Sequence, residues 1–120
     1  VSVNVVPQKI AYRETIKGSE DDKVLELRIW WVECEAMVGF MNGYQKDSSK
    51  TEYKAAVEKI WQFILENIVD KREGSEWYYE VDAENVPTST QPILDAWKCP
   101  YHNGRMFMEI LKREGEIASV

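Results

Sequence analysis

The most regular pattern in the chain is an apolar stripe, Tyr53, Val57, Ile60, Trp61, Ile64 and Ile68, set in polar sequence. Steps of three and four residues place these side chains on one face of an α-helix. The polar run Lys46-Asp47-Ser48-Ser49-Lys50 precedes it, and Ser49 with Glu52 three residues later has the form of a capping box. The spacing therefore predicts a helix over about 49–69. An earlier stripe, Leu27, Trp30, Trp31, Cys34, Val38 and Met41, predicts a helix over about 24–44. It is apolar over more than half its circumference, so it requires neighbours on two sides. Gly39 and Gly43 inside it each cost about 1 kcal/mol relative to Ala, which points to close packing there. A short polar link makes the pair an antiparallel αα-hairpin.

A third helix is predicted after Pro100, whose missing N–H costs nothing at a helix start. The run 106–114 continues it, and Gly115 supplies a stop signal behind a basic last turn. Before the first helix, Val1, Val3 and Val5 alternate briefly up to Pro7, and Tyr12 to Ile16 could be a second extended piece. Lys17-Gly18-Ser19-Glu20-Asp21-Asp22-Lys23 reads as a solvated loop. The expected division is an extended arm or loop over 1–23 and a helical region over 24–120. Between helices two and three, 76–81 is aromatic and β-prone, a short strand. Residues 86–96, with Pro87 and Pro92, form a long loop of the kind that often carries function.

At 120 residues the chain fits one small domain, and 44% hydrophobic with 30% charged residues is ordinary for a soluble protein. The net charge of -6 argues against nucleic acid and anionic membranes, which need clustered Lys and Arg. No apolar run approaches a membrane span, and no charged-then-apolar leader follows Val1. Cys34 and Cys99 are too few for a disulfide framework and suit buried thiols in a reducing, cytoplasmic setting; with one histidine, a metal site is poorly supported. Five Trp and six Tyr are many for this length, and several lie outside the helical stripes.

The single histidine, His102, stands in Trp97-Lys98-Cys99-Pro100-Tyr101-His102-Asn103-Gly104-Arg105. It falls in the first turn of the third helix, where the positive end of the helix dipole disfavours imidazolium and leaves a neutral base. This stretch, together with Trp30-Trp31-Val32-Glu33-Cys34-Glu35-Ala36-Met37-Val38-Gly39-Phe40 and Glu76-Trp77-Tyr78, resembles the cellobiose (mannobiose) 2-epimerases of the N-acylglucosamine 2-epimerase superfamily. The resemblance runs from about Lys23 to Arg113. It implies an all-α fold, the C-terminal segment of an (α/α)6 barrel of which this chain would form the last quarter to third, with short strand pieces in its loops. The family's other catalytic histidine and its substrate-binding arginine lie in earlier helices, and no residue of this chain replaces them.

The implied reaction is reversible C2 epimerisation of the reducing-end sugar of a β-linked disaccharide, cellobiose or mannobiose, with no cofactor and no metal. Proton removal beside the carbonyl and its return on the opposite face need two acid/base groups and donors to hold the enediolate. The resemblance makes His102 one of the two. It makes Trp31 and Trp97 sugar-contacting indoles, whose faces stack on pyranose C–H bonds, and Glu35 a ligand of substrate hydroxyls. A carboxylate on a largely apolar helix face needs a partner or a cavity. Arg105 could orient His102 or pair with a carboxylate. Trp61 belongs to the core; Trp30 is open between core and site border. Glu33, about 200° around the helix from Glu35, reads as a surface charge, and Lys98 as solvated.

The expected partners are a disaccharide or monosaccharide substrate and the rest of a barrel, or another copy of the chain, to cover exposed helix faces. Alone, the chain is expected to be inactive or nearly so. Two alternatives stand beside this reading. One is an inert association or sugar-binding segment. The other is an inverting glycosidase, which would pair Glu35 with Asp82 or Asp95 at about 6.5–9.5 Å.

Overall fold

The computed structural model describes residues 10–14 and 23–119. The expected arm over Val1 to Val5 and the loop over 17–22 lie outside the described residues. Strand β1 (Ile10–Glu14) pairs antiparallel with β2 (Lys23–Ile29), with Ile10 opposite Leu27 and Glu14 opposite Lys23. Strand β3 (Glu80–Val81) adds to the other edge of β2, with Arg28 opposite Val81. This corrects the helix expected over 24–44. In Lys23-Val24-Leu25-Glu26-Leu27-Arg28-Ile29 apolar and charged residues alternate after Val24, the period of a strand. Leu27 belongs to both periods, and strand pairing on both sides of β2 decides between them.

Helix α1 (Trp30–Lys46) follows β2 without a break and has no side-chain cap. Its first N–H is satisfied from outside the helix, as the Trp30 amide donates to the Tyr79 carbonyl at 3.0 Å. Trp30, Cys34, Met37 and Met41 line its buried face. Helix α2 (Thr51–Phe63) runs into a π-helical turn (Ile64–Ile68), and together they bury Ala56, Val57, Ile60, Phe63, Ile64 and Ile68. The predicted stripe is therefore the α2 side of the core. Trp61 sits only partly buried at its margin, edge-on to Phe107 with centroids 5.6 Å apart. Helix α3 (Tyr101–Ala118) packs against α1 through Met106, so α1 has α2 on one side and α3 on the other.

Three local signals resolve differently from their sequence form. The Ser49–Glu52 capping box does not form; Ser49 instead donates its N–H and Oγ to Asp47 Oδ1, at 3.2 and 2.6 Å, and the helix starts at Thr51. Gly115 does not end α3, which continues to Ala118. The 76–81 strand shrinks to Glu80–Val81 and an isolated bridge between Val69 and Trp77. At Gly43 an added Cβ would lie 3.1 Å from the Tyr53 ring, so the glycine sets the α1–α2 approach, whereas Gly39 faces open space. Gly43→Leu should lower the urea midpoint of the protein, while Gly39→Leu, which meets no neighbour and removes the helix cost of glycine, should raise stability by about 0.5–1 kcal/mol in urea unfolding.

Asp82 Oδ1 accepts the amides of Glu84 and Val86, both at 2.9 Å, and turns the chain out of β3. Asp95 Oδ1 accepts the amides of Trp97 and Lys98 at 2.7 and 2.6 Å. These two turns shape the connection that delivers the chain to α3.

Candidate active site

The first turns of α1 and α3 meet where the β2–α1 junction and the long loop converge. Glu35, one turn into α1, lies opposite His102 and Arg105, one turn into α3. His102 Nδ1 is 2.8 Å from Glu35 Oε1, across 67 residues of sequence. Arg105 Nη2 donates to the same oxygen. Burial pushes the Glu35 carboxyl up, but hydrogen bonds from His102 and Arg105 outweigh it and hold the group below the usual carboxylate range. An ionised carboxylate only accepts, so the shared proton is on His102 Nδ1. In the neutral ring Nε2 is then the free, proton-accepting nitrogen.

Aromatic rings set the imidazole's orientation. The Trp31 ring lies 5.7 Å from it at 39°, Trp30 meets it edge-on at 5.4 Å, and Tyr101 at 5.0 Å. The Arg105 guanidinium sits over the Tyr101 ring at 5.5 Å, so that it is held on both of its sides, by ring and carboxylate. Trp31 is 40% exposed and offers an open indole face beside His102. Trp97 projects into solvent at 88% exposure, placed by the Asp95 turn.

The structure thus brings together Trp31, Glu35, His102 and Arg105, and leaves Trp97 standing apart on the adjoining loop. Arg105 pairs with the carboxylate that orients His102, joining its two expected roles. Trp30 is core with its edge on the site, at 2% exposure. Tyr101 was not singled out by sequence reasoning; adjacency to His102 at a helix start was the available signal.

Two expectations are corrected. Glu33 is not a surface charge: it is fully buried, and neither carboxylate oxygen has a hydrogen-bond partner. Burial pushes its carboxyl up to about 7, with the Arg28 guanidinium pulling the other way. Lys98 is not solvated but buried, with its ammonium over the Trp30 ring. The cysteines differ from each other: Cys34 is buried, its thiol pushed up to about 12 by burial and then by the Glu35 and Glu33 carboxylates, while Cys99 is exposed. Asp82 and Asp95 serve their turns. Among the described residues no group of three His, Cys, Asp or Glu side chains could hold a metal ion, and no helix is long and apolar enough to cross a membrane.

The first turns of α1 and α3 thus present a carboxylate-bound histidine beside two indole rings. The family model for N-acylglucosamine 2-epimerase matches residues 7–103, and the chain belongs to that family. It is similar to the cellobiose 2-epimerase of Dictyoglomus turgidum, 47% identical over 100 residues that cover 83% of this chain and 24% of the relative. The Ruminococcus albus cellobiose 2-epimerase is 43% identical over 112 residues, covering 92% of this chain and 28% of the relative. Among solved structures, the cellobiose 2-epimerase of Spirochaeta thermophila superposes with a TM-score of 0.72 at 37% identity, over 82% of this chain and 24% of that one. These relatives are (α/α)6 barrels, and the fold described above is a mostly helical segment of that architecture. The chain spans about a quarter of the length of the relatives it matches.

Proposed function

We propose that this chain is the C-terminal part of a carbohydrate 2-epimerase and carries one of its two acid/base residues, His102. The observation that carries the reading is the Glu35–His102 pair, which leaves Nε2 free beside the open Trp31 face. In the reaction, Nε2 takes the C2 proton of an open-chain aldose while the electron pair moves onto the carbonyl oxygen, giving an enediolate. A second acid/base group, from outside this chain, returns a proton to the opposite face. Trp31 and Trp97 form the stacking wall for the sugar, Glu35 orients His102 and reaches substrate hydroxyls with its remaining acceptor capacity, and Arg105 holds Glu35 ionised. The substrate is the reducing-end glucose or mannose of a β-linked disaccharide, and no metal or nucleotide takes part. An inverting glycosidase is not favoured. It needs a protonated carboxylic acid, whereas hydrogen bonds from His102 and the Arg105 guanidinium keep Glu35 ionised and both candidate aspartates serve backbone turns.

In this reading α1, α2 and α3 are the last helices of the barrel, β1 and β2 lead into them, and the enzyme works in the cytoplasm. The remaining barrel covers the faces left open here. One is a groove of about 290 Å³ with Met37, Val57, Trp61, Phe107 and Leu111 in its walls. The test is incubation with cellobiose in heavy water. A full-length protein carrying this segment should yield the mannose-ended epimer with deuterium at C2, and the 120-residue chain alone should yield none. Release of free glucose would replace this reading with hydrolysis. Trp97→Ala in the full-length protein should raise KM about tenfold with kcat little changed, the loss of one stacking contact. An unchanged KM would remove Trp97 from the sugar wall.

A further inference from the structure

Of residues 94–101, which carry the chain into the site, only Lys98 is buried. Its neighbours Trp97, Cys99, Pro100 and Tyr101 are all exposed. A lysine is the least expected side chain to turn inward, because its ammonium must give up water. Here the ammonium lies 4.9 Å from the centroid of the Trp30 ring, and the carboxylates of Glu76 and Asp95 contribute favourable charge. The Lys98 amide and carbonyl are also tied into the Asp95 turn, at 2.6 and 3.3 Å. Trp30 in turn is 2% exposed and sets its edge against the His102 ring. Glu76 makes a second tie to the same helix start, accepting from Asn103 Nδ2 at 3.4 Å.

We infer that Lys98 is a positioning residue for epimerisation: seated on Trp30, it pins the loop that presents Trp97 and the helix start that presents His102. The inference rests on the functional reading above. Lys98 touches no reacting atom; it acts through Trp30 and through the chain on either side of itself. No other side chain among residues 94–101 is buried, so removing the cation loosens the segment on both sides of Lys98. A displacement of about 1 Å at the reacting group can cost on the order of a hundredfold in rate.

The test uses the full-length protein with Lys98→Met, Lys98→Arg and Trp30→Phe. Methionine fills similar space with no ammonium to desolvate, and Glu76 and Asp95 both keep access to water, so Lys98→Met should melt cooperatively near the wild-type temperature. Its kcat/KM for cellobiose should fall about tenfold to a hundredfold, and amide hydrogen exchange over residues 96–104 should accelerate. Lys98→Arg keeps a cation over the indole and should retain activity within about threefold; Trp30→Phe, with a weaker ring, should fall between. Activity and exchange both unchanged in Lys98→Met would overturn the inference, as would loss of cooperative melting, which would make Lys98 a folding residue. A wild-type protein without epimerase activity would overturn the functional reading and the catalytic part of the inference, while accelerated exchange in Lys98→Met would still support the anchor.

Discussion

Replacing His102 by Asn in the full-length protein should lower kcat for cellobiose by about 10²–10⁴-fold, with KM changed far less. Asparagine approximates the donor side of imidazole toward Glu35 but has no nitrogen able to take a proton. Because Nδ1 is engaged by an ionised carboxylate, all of the acid/base capacity lies on Nε2. Deuterium exchange at C2 should fall with turnover, since the same nitrogen performs the exchange. Glu35→Gln gives a graded control. It keeps the shape of the pair but removes the charge that selects the tautomer, so activity should drop without vanishing, and Arg105 should lose its carboxylate partner. Turnover by His102→Asn at the wild-type rate would move the acid/base role to another residue.

The second large effect concerns stability. Glu33 is fully buried without a hydrogen-bond partner, and its carboxyl is raised from 4.5 to about 7. The folded state therefore holds a proton that the unfolded chain has already lost, so stability is fully present below about pH 4.5. It declines as the pH rises and is lost by about pH 7. The size of that loss is about 3 kcal/mol, from 1.36 kcal/mol for each pH unit between the two values. Glu33→Gln cannot ionise. In the 120-residue chain it should match wild type near pH 4.5 and exceed it by up to about 3 kcal/mol at pH 8. Urea unfolding of both proteins across this range measures the difference, and a gap independent of pH would show that Glu33 is solvated or paired in solution.

Glu33 also shows why part of the fold could not be read from spacing. Angular position on α1 separates it from Glu35, and on a helix packed on one side that would put it in water. Here β2, α2 and α3 all pack against α1, so the opposite face is covered as well. The β2–α1 boundary failed for a related reason. Leu27 fits a helical period with Trp30 and Cys34 and a strand period with Leu25 and Ile29, and the choice belongs to partners at Ile10–Glu14 and Glu80–Val81. Lys98 is invisible to pattern because a cation–π seat requires knowing which ring lies beneath it.

Local periodicity and residue chemistry by themselves determined the α2 stripe, the αα-hairpin, the helix start at Pro100 and the Trp97–Arg105 motif with its histidine in the first turn. Each of these depends on residues within a turn or two of one another, where backbone geometry alone sets which side chains share a face. Tertiary structure decided that Glu35 meets His102 and Arg105 across 67 and 70 residues, and hence which nitrogen of the imidazole is free. It also decided that Trp30 lies between a buried lysine and the site. Those outcomes follow from how α1 is packed between α2 and α3, a contact between distant segments that no local spacing encodes.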